Sequence, residues 1–138
     1  MTVNHINDVE FGETLPAFEP DTSMDNVRRF AIAAGWNGPR FTDHDYARKE
    51  GLPGAVVPGI MNQGFLSAMI HRWAPEAEVR LVDTVFRAPC IVDEPYYING
   101  EVTDIDTDTG EIEIDLTVTN ADSETRVFGV ARVLLPNG

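Results

Sequence analysis

The chain has 138 residues, of which 43% are hydrophobic, and a formal net charge of −13. That is material for one core in one domain, residues 1–138, and the charge speaks against a nucleic-acid partner, which it would repel. No apolar run nears the ~20 residues that cross a bilayer. The segment Met1–Asp8 has neither the basic nor the apolar region of a secretory signal, so a cytoplasmic protein with no membrane partner is expected. A single cysteine, Cys90, excludes an internal disulfide and a cysteine-based zinc site.

In chain order, Phe11-Gly12-Glu13-Thr14-Leu15-Pro16 reads as an opening strand and turn. Thr22 is placed to cap a helix, with Asp25 three residues on as a capping-box variant. Val27, Phe30, Ala31 and Ala34 then recur at i, i+3, i+4, i+7, the inner face of an amphipathic helix that Gly35 ends. Residues 36–42 read as a loop, broken by Gly38 and Pro39. Asp43 can cap a short helix over 44–50, closed by Gly51. Residues 59–73 carry Ile60, Met61, Phe65, Leu66, Ala68, Met69, Ile70 and Trp73, with a thin polar stripe through Gln63, Ser67 and His71. A helix apolar nearly all round is a buried one, and Pro58 and Pro75 fix its ends.

The second half turns to strands. Ile112, Ile114, Leu116 and Val118 alternate with Glu111, Glu113, Asp115, Thr117 and Thr119, the period-two pattern of an antiparallel sheet with one wet face. Val79–Phe86 and Val127–Leu135 are rich in β-formers as well, and Asp108-Thr109-Gly110 reads as a hairpin turn. Helices followed by a run of antiparallel strands make the fold class α+β.

Candidate sites divide quickly. Residues 101–124 hold nine acids and no base, while Arg28, Arg29, Arg40, Arg48, Lys49 and Arg72 cluster between 28 and 72. These are two solvated faces or, on a sharper reading, a basic rim for an anionic ligand. Ser67 and His71 lie four apart on one helix face, with no nearby acid to complete a hydrolytic triad. Asp104, Asp106 and Asp108 have a calcium-loop spacing, but Thr109 stands where glycine is needed and Asp115 where a bidentate glutamate is wanted. His5, His44 and His71 have no zinc-like spacing. No metal or cofactor is called for.

The stretch from Gly35 to Ala47, followed by Val57-Pro58-Gly59-Ile60-Met61, resembles the active-site segment of the MaoC-like hydratases and dehydratases. That family shows Gly-Asp-x-Asn-Pro-x-His-x-Asp, a short helix, and a His-Gly-Met-type helix start. Phe86-Arg87-Ala88-Pro89, Val92-Asp93 and Gly100 match its third-strand pattern, so the likeness runs from about residue 11 to 135. It implies a hot-dog domain, a sheet wrapped around one long buried helix. It also implies acyl thioesters as ligands, acyl-CoA first among them, in a homodimer or in a heteromer with a second hot-dog subunit.

Counted back from Asp43, the family's catalytic aspartate and histidine positions hold Trp36 and Phe41, neither of which exchanges a proton at neutral pH. A one-residue shift aligns Trp36-Asn37 differently and restores neither group. The N–H groups of Gly59 and Ile60 fall where the family binds the thioester carbonyl. Asn37 and Arg40 are candidates to hydrogen-bond the substrate. Asp43 and His44 are the nearest remaining proton-transfer groups, with a helix cap and an exposed first turn as their structural alternatives. No Asp or Glu falls in 55–75, which weakens a thioesterase reading. The resemblance therefore implies a hydratase-family chain without its own catalytic pair. It is either the substrate-binding subunit of a heteromeric enoyl-CoA hydratase, or a stand-alone binding protein or enzyme with other chemistry at the same site.

Overall fold

The alternating run at 111–119 becomes the interior of a four-stranded sheet. The computed structural model describes residues 2–36 and 38–136. In it β1 (Glu78–Phe86), β2 (Tyr96–Asp106), β3 (Glu111–Asn120) and β4 (Thr125–Leu134) form one antiparallel sheet in the order β1-β4-β3-β2. Ile112, Ile114, Leu116 and Val118 turn to one face together with Ile98 and Val102 of β2 and Val127, Ala131 and Val133 of β4, all sealed from solvent. Asp106 makes the β2–β3 turn: its carboxylate accepts the N–H groups of Asp108 (3.0 Å) and Thr109 (3.2 Å). The aspartates are hairpin residues, as the alternation implied.

A 15-residue helix, α4 in the chain, spans Gly59–Trp73 with the bounds expected from Pro58 and Pro75. It lies on the sheet and buries Leu66, Met69, Ile70 and Trp73. Each such side chain contributes about 1.5–3 kcal/mol of burial. Gly100 permits the close approach, because a β-carbon there would stand 3.0 Å from Cε of Met69. The helix is not buried all round, as its composition suggested. Ile60, Gly64, His71 and Arg72 are exposed, because a sheet of this size wraps only one side of a helix. His71 hydrogen-bonds the Ala77 carbonyl (3.2 Å) rather than Ser67.

The remaining helices are α1 (Met24–Ala34), α2 (Pro39–Thr42) and α3 (His44–Lys49), with a single 3₁₀ turn at Ile6–Asp8. Ser23, not Thr22, caps α1: its hydroxyl accepts the Asn26 N–H, while the buried Thr22 hydroxyl donates to the Glu94 carbonyl (2.6 Å). Gly35 ends α1 in the left-handed conformation, φ 72°, but Ala34 is exposed rather than inward. Pro39 starts a helical turn instead of breaking one, since a proline at the first helical position forfeits no hydrogen bond. Asp43 caps α3, accepting the N–H groups of Asp45 (2.9 Å) and Tyr46 (3.2 Å). Among the described residues no helix is long and apolar enough to cross a membrane.

The two edges of the sheet differ. The N-terminal segment runs along β2, with Gly12 and Leu15 N–H donating to the carbonyls of Val102 and Gly100 (both 2.9 Å) and Ile98 N–H donating to Phe18 (3.0 Å). β1 has no strand beyond it among the described residues. Leu81, Val85 and Phe86 of that strand, and Phe128 of β4, are exposed.

Candidate functional site

The N-terminus of α4 opens into a cavity. Pro58 precedes it and offers no side-chain cap; its carbonyl accepts the N–H groups of Met61 (3.0 Å) and Asn62 (3.1 Å). The N–H groups of Gly59 and Ile60 have no partner among the described residues, and they carry the positive end of the helix dipole. Residues 55–57 pair with 90–92: Val57 N–H donates to Cys90 and Val92 N–H to Ala55, both at 2.8 Å. This pairing sets Cys90 beside the helix start. The resulting cavity of about 300 Å³ is lined by Val56, Val57, Gly59, Asn62, Phe86 and Cys90, with Arg87 also on its wall. The Phe86 ring lies against Gly59, where an added β-carbon would come within 3.1 Å of it. Burial pushes the Cys90 thiol up to about 11, so it is a neutral, unreactive group at pH 7.

A larger hollow, about 480 Å³, is walled by Thr2, Val3, Asn4, Asp8 and Glu13. It lies toward the opposite end of α4, where Val3 N–H closes on the Trp73 carbonyl (2.7 Å). A helix C-terminus repels the partial negative charge of a ligand oxygen, and an N-terminus attracts it. The smaller cavity is therefore the better site for an electron-rich carbonyl.

The structure brings Gly59 to the cavity wall and leaves the Ile60 side chain in solvent, 53% exposed. Trp36 and Phe41 pack against each other, ring centroids 5.5 Å apart, with Phe30 edge-on to Trp36 at 6.4 Å. They form an aromatic cluster between the end of α1 and α2. The Val56 N–H, donating to the Arg40 carbonyl (3.0 Å), ties α2 to the 55–57 segment that lines the cavity. The Arg40 guanidinium itself turns away to Glu50, at 3.1 and 3.3 Å. Asn37 lies outside the described residues.

His44 is held at both ring nitrogens. Nδ1 accepts the Ala55 N–H (3.0 Å), so the ring proton sits on Nε2 and donates to Asp93 (2.9 Å). The second Asp93 oxygen accepts the Met24 N–H (2.8 Å) at the start of α1. The His44 hydrogen bond, followed by the Met24 N–H, lowers the Asp93 pKa below the ordinary carboxylate range. Asp93 adopts φ 70°, a conformation that aspartate tolerates better than most residues. One carboxylate thus fastens α1, α3 and the loop before β2, and Asp43 beside His44 is engaged as the α3 cap.

The basic cluster between 28 and 72 does not converge on the cavity. Arg28 donates to the Thr42 carbonyl, Arg48 pairs with Asp45, and Arg72 lies over the Phe18 ring, 4.6 Å from its centroid. The cation beside the site is Arg87. Arg126 stands next to it, donating to the Pro89 carbonyl (2.9 Å). No three His, Cys, Asp or Glu side chains gather as they would around a metal among the described residues.

No family model and no curated protein matches the sequence. Solved structures do. The (R)-hydratase of A. caviae involved in PHA biosynthesis superposes with a TM-score of 0.87 at 18% identity, over 93% of this chain and 98% of its own. The (R)-hydratase PhaJ1 of Pseudomonas aeruginosa gives 0.89 at 18%, over 97% and 86%. The ChsH1-ChsH2 complex of Mycobacterium tuberculosis gives 0.84 at 18%, over 93% and 99%. The chain has the hot-dog fold.

In this hot-dog domain the residues that sequence reasoning passed over are Asn62, Phe86, Arg87 and Cys90. Asn62 carried a signal: it is an amide one turn beyond Gly59 that falls outside the polar stripe through Gln63, Ser67 and His71. Phe86 and Arg87 were visible only as part of the third-strand pattern, and Cys90 carried no signal, because the crossing from β1 to β2 that brings them to the helix start is a long-range feature.

Proposed function

We propose that the chain is a MaoC-like hydratase-family protein that binds an acyl thioester, acyl-CoA in the first instance, and lacks a proton-transfer pair of its own. The observation that carries this reading is the cavity at the start of α4, where an apolar wall meets the Gly59 N–H, which has no partner among the described residues. A thioester carbonyl fits such a place because the dipole and N–H donors stabilise its oxygen, more so as negative charge develops on it. Phe86, Val56 and Val57 suit the acyl chain, and Arg87 suits the anionic end of a coenzyme. Trp36 and Phe41 supply no base for water and no acid for the α-carbon. His44, with both nitrogens engaged, and Arg40, paired with Glu50, favour binding over replacement chemistry.

The open β1 edge with its exposed apolar residues supports association with a second hot-dog subunit, and twofold pairing is the commonest closure. In the heteromer, that subunit provides the catalytic pair and this one holds substrate, in the cytoplasm. The test is hydration of crotonyl-CoA by the purified chain alone and after co-expression with a MaoC-like chain that carries the catalytic pair. Each missing proton-transfer group costs about 10²–10⁴-fold, so the chain alone is expected to be nearly inactive. Turnover by the chain alone at the rate of pair-bearing enzymes overturns the reading. Calorimetric titration with butanoyl-CoA tests binding itself. Gly59→Val, whose added carbons run into Phe86, is expected to weaken it.

A further inference from the structure

We infer that His44 is a positioning residue of the cavity and a proton-sensitive latch on it: uncharged, the ring holds the 54–57 wall in place, and charged, it releases that wall and weakens ligand binding. The inference rests on the acyl-thioester reading and names the regulation of that same site. Its basis is the division of roles between the two ring nitrogens. A backbone N–H is always a donor, so the Ala55 N–H, 3.0 Å from Nδ1, can be met only by a ring nitrogen that carries no hydrogen. The other nitrogen, Nε2, carries the ring hydrogen and donates it to Asp93 at 2.9 Å. The folded arrangement therefore fits the neutral imidazole and has no place for a second proton.

What that proton displaces adjoins the site. Ala55 is fully buried, and the next two residues, Val56 and Val57, line the cavity with Gly59. The ring lies directly against this backbone, since a β-carbon on Gly54 would stand 2.9 Å from Nδ1 and 3.1 Å from Cγ2 of Ile91. The His44 side chain is one quarter exposed, so a proton reaches it from solvent. The charged groups around the ring decide which contact yields. Asp93 comes from the loop before β2; the His44 bond, then the Met24 N–H and, least, Arg28 of α1 hold its pKa down. On α3, Asp43 is engaged as the helix cap, and Asp45 pairs with Arg48, which also donates to the Pro53 carbonyl. Arg40 of α2 is paired with Glu50, and residues 54–57 carry no charge. An imidazolium strengthens its bond to the Asp93 carboxylate and turns an Nδ1 hydrogen against the Ala55 N–H. The ring stays with Asp93 and the wall is let go. The wall is thus held above the titration range of histidine and released as pH falls through it, from about pH 8 to about pH 5.

NMR titration of the full chain from about pH 8 to about pH 5 reads the latch without any ligand. As the His44 ring takes up its proton, the Ala55 amide is expected to lose its hydrogen bond, seen as an upfield shift of the amide proton. Calorimetric titration with butanoyl-CoA at the two ends of that range reads the site. Affinity of the wild type is expected to fall about tenfold toward the acid end. In His44→Asn the amide oxygen takes the place of Nδ1 and does not titrate, so only the change due to the ligand's own phosphate remains. The wild-type spectra decide even if the variant fails to fold. A ring that charges while Ala55 stays bonded, a ring still neutral at the acid end, or a fall in affinity equal in both proteins overturns the latch and leaves the acyl-thioester reading in place. Butanoyl-CoA bound at neither pH overturns the acyl-thioester reading, and control of that site with it.

Discussion

The sheet with α4 and the segment between residues 36 and 58 are held together by different forces. In the first, Leu66, Ile98, Ile112, Ile114 and Leu116 are all but sealed from solvent, and backbone ladders tie each strand to the next. In the second, few side chains are buried: Ala47, Ala55 and Val57 are, while Trp36 and Tyr46 stand more than a third exposed. Its shape comes from polar ties instead, the Asp43 cap, the His44 ring between Ala55 and Asp93, and Val56 against the Arg40 carbonyl. Apolar burial spreads stability over many groups, whereas a segment held by a few hydrogen bonds opens locally at lower free energy. The cavity lies on the seam, with its floor on α4 and part of its wall on the tied segment.

Leu66→Ala tests the first half of the contrast and has the largest expected effect. The residue is fully buried, so a loss of about 2–5 kcal/mol is expected in urea unfolding. A loss below ~1 kcal/mol would mean that the core is not the main support.

His44→Leu addresses the second half. It strips the Ala55 N–H of its acceptor and Asp93 of its donor, at a cost of about 1–3 kcal/mol. Amide hydrogen exchange is expected to speed up at 54–57 and leave β3 unchanged. Uniform acceleration across both regions would dissolve the distinction.

Acid sharpens the same point with a smaller effect. The folded-state pKa of Asp93 is lowered, chiefly by His44. Its contribution to stability is therefore fully present above the unfolded value near 3.9 and is lost as pH falls through the folded value. The side chain is half exposed, so the amount is at most about 1 kcal/mol. Exchange at Met24 and Ala55 followed downward from pH 5 is expected to rise first in wild type, with a flatter response in Asp93→Asn. The smallest effect belongs to Arg40→Ala: its pair with Glu50 is solvent-screened, and no shift of the unfolding midpoint is expected.

The same contrast explains what could be read in advance. Ile112 to Val118 state their own register, because alternation of side chains is alternation of faces. The bounds of α4 follow from Pro58 and Pro75, which act locally. Asp93 was visible only as part of a pattern: nothing nearby in sequence says that it adopts φ 70° or that it meets His44, 49 positions earlier. The cap of α1 fell to Ser23 rather than Thr22 because the threonine hydroxyl was claimed by Glu94, a distant partner. Pro39 was read as a breaker where its position made it a starter. At the site, Gly59 was legible from the Pro-Gly helix start, whereas Phe86 and Cys90 reach the cavity only through the fold.

The β1 edge, which no strand covers among the described residues, has a colloidal consequence when set beside the charge of −13. An edge strand is a template for another strand, but two copies approaching each other carry a mutual repulsion whose range is set by dissolved ions. That range is about 10 Å at 0.1 M salt and about 3 Å at 1 M. In dilute buffer the charge guards the edge; in concentrated salt the guard is withdrawn and exposed Leu81, Val85 and Phe86 are free to seek cover. Ionic strength thereby becomes a dial on self-association, turning the opposite way from its usual effect on proteins held together by ion pairs.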